Sequence, residues 1–146
     1  MERITGKASI LLSIFKRKGG EGLLTKIITD ENKADYLQQL TLLEMNEKPL
    51  LCFKENELNW LLLTNERVLT AQAGVKIIIP FSELIRIDLA LHEEARNGVA
   101  NLKYFTRLAL LDQNGNRYLV SVEKGDPYKG IYQMLHYVAS NNSATH

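Results

Sequence analysis

A chain of 146 residues, 45% hydrophobic and 24% charged, carries enough apolar mass for one globular core and needs no metal or disulfide to hold it. Its single cysteine, Cys52, has no internal partner, which points to a reducing compartment and to a thiol acting as a small hydrophobe. A formal net charge of +1 excludes the chain-wide positive field of a general nucleic-acid binder.

The charge is unevenly spread. Residues 1–18 hold Arg3, Lys7, Lys16, Arg17 and Lys18 against Glu2 alone, leaving a faintly acidic body. The apolar stretch Ile10-Leu11-Leu12-Ser13-Ile14-Phe15 is far shorter than the roughly 20 residues that span a bilayer. Its basic cluster follows the apolar run and no small-x-small cleavage pattern succeeds it, so it does not read as a secretion signal. The chain reads as cytoplasmic. Residues 7–15 predict a short helix ended by Gly19-Gly20, and Gly19-Gly20-Glu21-Gly22 reads as a flexible linker, because it lacks the Lys-Ser/Thr ending of a phosphate-binding loop. Ile10, Leu11, Ile14 and Phe15 share one helical face, flanked by Lys7 and by Lys16-Arg17-Lys18. The favoured reading docks this face on the sheet or on a second subunit, with the basic residues snorkelling outward. The alternative is a membrane contact through Lys7, Ile10, Leu11, Ile14, Phe15, Lys16, Arg17 and Lys18. Asp30 then stands as N-cap of a second helix whose apolar face is Tyr36, Leu37, Leu40 and Leu43, and whose exposed face carries Lys33, Gln38, Gln39 and Glu44.

After Pro49 short apolar runs alternate with turn residues. Leu50–Phe53, Trp60–Thr64, Arg67–Ala71 and Val75–Ile79 predict four strands, with turns at Lys54–Glu57, Asn65-Glu66 and Gly74 and a stop at Pro80. Leu84–Leu89 alternates apolar with polar residues as a half-buried fifth strand. A polar loop, His92–Asn101, precedes a hairpin of Leu102–Asp112 and Arg117–Val122, whose Asn114-Gly115 predicts a type I′ turn. Asp126 caps a last helix with Pro127 in its first position. Its stripe of Tyr128, Ile131, Leu135 and Val138 faces the sheet, and Ser140–His146 is a frayed tail. Short connections throughout imply antiparallel meanders. The predicted class is α+β: a curved antiparallel sheet or partly open barrel of about seven strands, capped by a C-terminal helix. Residues 1–45 form an N-terminal helical extension and residues 46–146 the domain proper.

That order of strands and helix resembles the pleckstrin-homology-like (PH-like) fold. Trp60-Leu61-Leu62-Leu63-Thr64-Asn65-Glu66-Arg67-Val68-Leu69 is similar to the second-to-third-strand hairpin of bacterial members, an apolar strand running into "Thr-Asn-x-Arg". Ile79-Pro80-Phe81-Ser82-Glu83-Leu84, with Ile87, resembles their "Ile-Pro-Tyr-x-x-Ile-x-x-Ile" transition. The resemblance spans residues 49–141, and its motifs encode strand and turn chemistry rather than a site. Phosphoinositide-binding relatives carry several basic residues at the first hairpin. Here that hairpin is Lys54-Glu55-Asn56-Glu57-Leu58-Asn59, whose two carboxylates would repel an inositol phosphate, so specific phosphoinositide binding is not expected.

No catalytic pattern stands out. His92, His136 and His146 have no ligand spacing and no partner cysteine, so neither a metal site nor a cofactor is expected. His92-Glu93-Glu94 reads as a solvated loop. Ser82 and Ser121 lack the nucleophile-elbow pattern. Tyr104, Phe105 and Tyr118 with Lys103, Arg107 and Arg117 could stack bases, but strand aromatics are more often half-buried packing. Trp60 reads as core, or as packed against the N-terminal helix. The expectation is a non-enzymatic cytoplasmic module that binds a protein partner, including another copy of itself. The fifth strand and the Tyr128–Val138 helix are the expected contact surfaces. Peripheral membrane association is the alternative, and a small enzyme with a site invisible to sequence is the third reading.

Overall fold

The computed structural model describes residues 2–144, with side chains described from Lys7 to Asn142. Helix α1 (Glu2–Lys18) leads into strand β1 (Thr25–Ile27). A 3-10 turn (Lys33–Tyr36) and a single helical turn, α2 (Leu37–Leu40), follow. Strands β2 (Pro49–Asn56), β3 (Asn59–Thr64), β4 (Arg67–Gln72) and β5 (Val75–Pro80) form a meander. Strand β6 (Leu84–Leu89), helix α3 (Leu91–Arg96), strands β7 (Arg107–Asp112) and β8 (Arg117–Ser121) and helix α4 (Asp126–Ala144) complete the chain. The class is α+β, with all pairings antiparallel.

The strands divide into a five-stranded sheet, ordered β1-β2-β3-β4-β5, and a three-stranded sheet, ordered β6-β7-β8. No ladder joins them among the described residues, so the sheets do not close into a barrel. The break falls at Pro80, which has no N–H to carry a ladder onward, and at the 3-10 turn Phe81–Glu83 that follows it. Ser121 N–H donates to Gln72 Oε1 across the open seam at 3.1 Å.

The main core lies where both sheets, α1 and α4 meet. Leu11 and Phe15 of α1 are fully buried there with Leu61, Leu63, Leu84, Leu108 and Leu110 of the sheets. Ile131, Met134 and Leu135 of α4 close it. A second, smaller core sits on the other face of the large sheet: Tyr36, Cys52, Trp60, Leu62, Leu69 and Ala71, with Ile28, Leu40, Leu42 and Leu43 packed against it. This explains why Trp60-Leu61-Leu62-Leu63 is apolar without interruption. Successive side chains point to opposite faces, and both faces are covered. Trp60 packs here, donating its indole N–H to Glu57 O at 3.2 Å.

Several local expectations are corrected. The helix expected around Tyr36–Leu43 is one turn long; Tyr36 is buried, but Leu37 is 62% exposed and Gln39 only 1%. The backbone spends its donors elsewhere: Asn32 Oδ1 accepts Thr29 N–H and Asn32 Nδ2 donates to Ile27 O, while Asp30 caps nothing and pairs with Lys33. Gly19–Gly22 is no flexible linker. A Cβ on Gly19 would lie 2.1 Å from Asp126 O and 2.4 Å from Gly130 N, so the end of α1 crosses the start of α4 backbone to backbone. A Cβ on Gly22 would meet the Glu123 carboxylate at 2.6 Å. That carboxylate accepts Leu23 N–H, Leu24 N–H and the Thr25 hydroxyl at 2.8, 3.0 and 2.8 Å, fixing the turn into β1.

The turns also differ. Ala73-Gly74, both at positive φ between the paired Gln72 and Val75, form the two-residue hairpin. In the β7–β8 turn only Gly115 has positive φ, Gly115 N–H donates to Asp112 O, and Asn116 O accepts Asp112 N–H. That is a type I turn ending in a left-handed glycine, not type I′. Leu102–Tyr104 is a 3-10 turn, so β7 begins only at Arg107, and part of the expected polar loop is α3. Helix α4 continues past Ser140 to Ala144, which corrects the expected frayed tail; Thr145 and His146 lie outside the described residues.

Candidate partner-binding groove

Strand β6 is an edge strand of the small sheet, and α4 runs beside it. Leu84 and Ile87 point into the core, and a register shift between Leu84 and Arg86 turns Ile85 outward, 39% exposed. The start of the strand is tied down: Asn142 Nδ2 donates to Phe81 O and to Leu84 O. Beyond the bulge, a groove of about 500 Å³ runs between β6 and the outer surface of α4, with Arg86 and Asp88 on one wall and Tyr132, His136 and Ser140 on the other. It continues past Arg86, Asp88 and Tyr132 into a second concavity of about 450 Å³, closed by His92 and Glu93 of α3 and by Arg117.

The groove walls are charged and internally paired. Arg86 Nε donates to Asp88 Oδ1 at 2.8 Å. Arg117 grips Glu93 with both terminal nitrogens, at 2.8 and 3.1 Å. The Arg117 hydrogen bonds hold the Glu93 carboxyl down to about 2. Tyr132 and His136, one helical turn apart, lie ring against ring at 5.7 Å. Below them, Glu94 is fully buried and accepts Thr106 N–H, Arg107 N–H and Arg107 Nη1 at 2.6, 2.8 and 2.7 Å. Those bonds anchor α3 to the root of β7 and so set the end wall. The sequence placed Glu93 and Glu94 in a solvated loop, because nothing local shows that Arg117 and Arg107 return beside them.

A larger cleft, about 850 Å³, opens between α1, the edge strand β5 and the end of α4. Ile10, Ile78, Phe81 and Tyr137 supply its apolar lining, and Lys7 Nζ sits 5.7 Å from the Phe81 ring centre. Its Arg67 is engaged below: two nitrogens contact the Glu47 carboxylate at 2.9 and 2.6 Å, and Leu42 O accepts a third bond. Burial opposes the charge on Glu47, but the bonds from Arg67 and from the Thr64 hydroxyl outweigh it and hold the carboxyl below its usual range. The Asn65 side chain, in a residue 2% exposed, accepts Lys48 N–H, while its Nδ2 has no hydrogen-bond partner among the described residues.

Leu11, Ile14 and Phe15, named for a membrane contact, are buried under α4 at 0, 8 and 0% exposure. Ile10 is half exposed, and Lys7, Lys16, Arg17 and Lys18 are exposed. Insertion of that apolar face into lipid would therefore require α1 to leave the core. Cys52 is fully buried, and burial pushes its thiol up to about 12. Among the described residues no three His, Cys, Asp or Glu side chains converge as metal ligands, and no helix is long and apolar enough to cross a membrane. Lys54 of the β2–β3 hairpin is occupied by Glu57 Oε1 at 2.6 Å and by Asp35 O at 2.9 Å.

No family model matches this chain, and no curated protein matches it.

Proposed function

We propose that the protein is a non-enzymatic cytoplasmic binding module that takes an extended segment of a protein partner along β6, with the partner's side chains lying in the groove against α4. The observation that carries this reading is an outer strand with a groove directly beside it. Apart from the ladder to β7 on its inner side, no hydrogen bond from another element reaches the backbone of Arg86–Leu89 among the described residues. An edge strand presents alternate N–H and C=O groups outward, and an added strand satisfies them while the groove reads its side chains. The bulge at Ile85 and the Arg86–Asp88 pair restrict the addition to a short, matched segment, which argues against indiscriminate strand pairing.

Seven strands, β2 to β8, followed by one helix is also the order expected of a PH-like domain, and we read the molecule as a member of that fold with an N-terminal extension. The occupied Lys54 and the carboxylates of its hairpin favour a peptide over a phosphoinositide headgroup. The paired charges of the clefts favour binding over acid–base chemistry.

Selection of a random displayed-peptide library on the immobilised protein tests the proposal. Enriched peptides are expected to shift the amide resonances of Arg86–Leu89 and Tyr132–Ser140 and to lose binding to Ser140→Arg. Failure to enrich any sequence, or peptides that perturb only another surface, would overturn it.

A further inference from the structure

A second surface, adjoining the groove at Tyr132, lies around the 3-10 turn Leu102–Tyr104. Two hydrogen bonds close the turn: Asn101 Oδ1 accepts Lys103 N–H, and Phe105 N–H donates to Leu102 O. It holds Leu102 and Tyr104 outward, 48 and 51% exposed. Lysines from three separate segments converge on these two side chains. Lys103 Nζ and Lys124 Nζ lie 5.1 and 5.6 Å from the Tyr104 ring centre. Lys18, at the end of α1, and Lys129, on the first turns of α4, border a concavity of about 280 Å³ that Leu102 shares with Tyr128 and Tyr132. None of the four lysines has a carboxylate within ion-pair distance among the described residues. Of the nearby acids, Glu123 is committed to the Leu23–Thr25 turn, which leaves Asp126, exposed at the start of α4, as the opposing charge.

We propose that this turn is a docking surface for an anionic lipid bilayer, with Leu102 and Tyr104 entering the interface and Lys18, Lys103, Lys124 and Lys129 contacting acidic headgroups. The arrangement joins the two ingredients that interfacial binding adds together: exposed apolar groups on a turn, and lysine ammonium groups gathered around them. A tyrosine at the rim suits the headgroup layer, where its ring and hydroxyl meet different surroundings. Nucleic acid fits less well, since the chain as a whole carries only +1. The surface is distinct from the β2–β3 hairpin and from the buried face of α1. It leaves α1 docked and uses only its basic end.

Sedimentation of the full chain with vesicles decides the matter. Binding is expected to vesicles containing phosphatidylserine and not to pure phosphatidylcholine, with release at high salt. Each lysine near an acidic surface contributes about fivefold in affinity, so Lys103→Ala with Lys124→Ala should weaken binding roughly 25-fold, while Lys48→Ala, in the connection just before β2, leaves it unchanged. Leu102→Trp adds an exposed indole to a chain whose one native tryptophan, Trp60, is buried, and its emission should shift to the blue on the anionic vesicles. No sedimentation, equal binding to neutral vesicles, or an unshifted Leu102→Trp signal in bound protein would overturn the proposal. So would tighter binding to duplex DNA or polyglutamate than to the vesicles. Ser140→Arg is expected to sediment normally, which separates this test from that of the groove.

Discussion

Glu93 and Arg117 show how a pair of side chains exposed in sequence terms becomes a structural joint. Arg117 grips both carboxylate oxygens, and this holds the Glu93 carboxyl at about 2, against an ordinary value of 4.5. A group whose folded-state pKa is depressed adds stability that is fully present above its unfolded value and is lost as pH falls through the folded one. The contribution of Glu93 is therefore intact at neutral pH and disappears between pH 4.5 and about 2. Thermal melts of the native chain and of Glu93→Gln should accordingly differ most near neutral pH and converge toward pH 2; a gap that widens on acidification would contradict the assignment. The pair is partly solvent-exposed, 44% at Arg117 and 20% at Glu93, so the difference should be modest. Glu47 and Glu94 are different in kind. Both are fully buried carboxylates that survive because an arginine and several other donors reach them. None of these partnerships was legible in the sequence, since Glu47 and Arg67 lie 20 residues apart and Glu93 and Arg117 lie 24 apart.

At the scale of elements, the contact between α1 and α4 depends on two glycines that a linear reading assigns to a turn and to an unremarked helix position. Gly19 approaches the backbone of Asp126 and Gly130, and Gly130 leaves room for the ring of Phe15. Because Gly19 would strike main-chain atoms, no side-chain rotation relieves the clash. Gly19→Ala should destabilise the protein by about 2 kcal/mol in urea titration, as overpacked sites do, and should raise hydrogen exchange in α1 before α4. An unchanged midpoint would show that the helices separate without cost. The strands were the most legible elements. Each predicted run from Leu50 to Val122 overlaps an observed strand, because apolar runs bounded by turn residues carry their own signal. β1 was missed because it is only three residues long and is specified by the Glu123 carboxylate and by pairing with β2. The helix expected at Tyr36–Leu43 failed for the complementary reason. Tyr36, Leu40 and Leu43 serve the second core from a turn while Leu37 stays exposed, so helical spacing did not require a helix.

Considered whole, the molecule wraps its large sheet on both faces, and Cys52 sits at the middle of the outer layer at 0% exposure. Burial raises the thiol to about 12, so at pH 8 little thiolate forms in the folded state and no reagent reaches it. Alkylation should be slower than in denaturant by about a thousandfold or more, and its rate should follow global stability across conditions. Rapid labelling of the folded chain would mean that the layer formed by residues 28–43 opens independently of the core. The groove and the lysine-ringed turn arise at this same scale. β6 and α4 were both named from sequence as contact surfaces, but their adjacency, the bulge that turns Ile85 outward and the charged end wall come from packing.

What the sequence determined alone was the succession of strands from β2 to β8, the amphipathic last helix and the apolar face of the first, because periodicity and turn chemistry are local properties of the chain. Only the tertiary structure decided that the strands split into two sheets at Pro80, that α1 enters the core instead of presenting its apolar face, and that buried carboxylates meet distant arginines. Each of those outcomes depends on groups far apart in the chain competing for the same space and the same hydrogen bonds, and that competition has no signature in a local window.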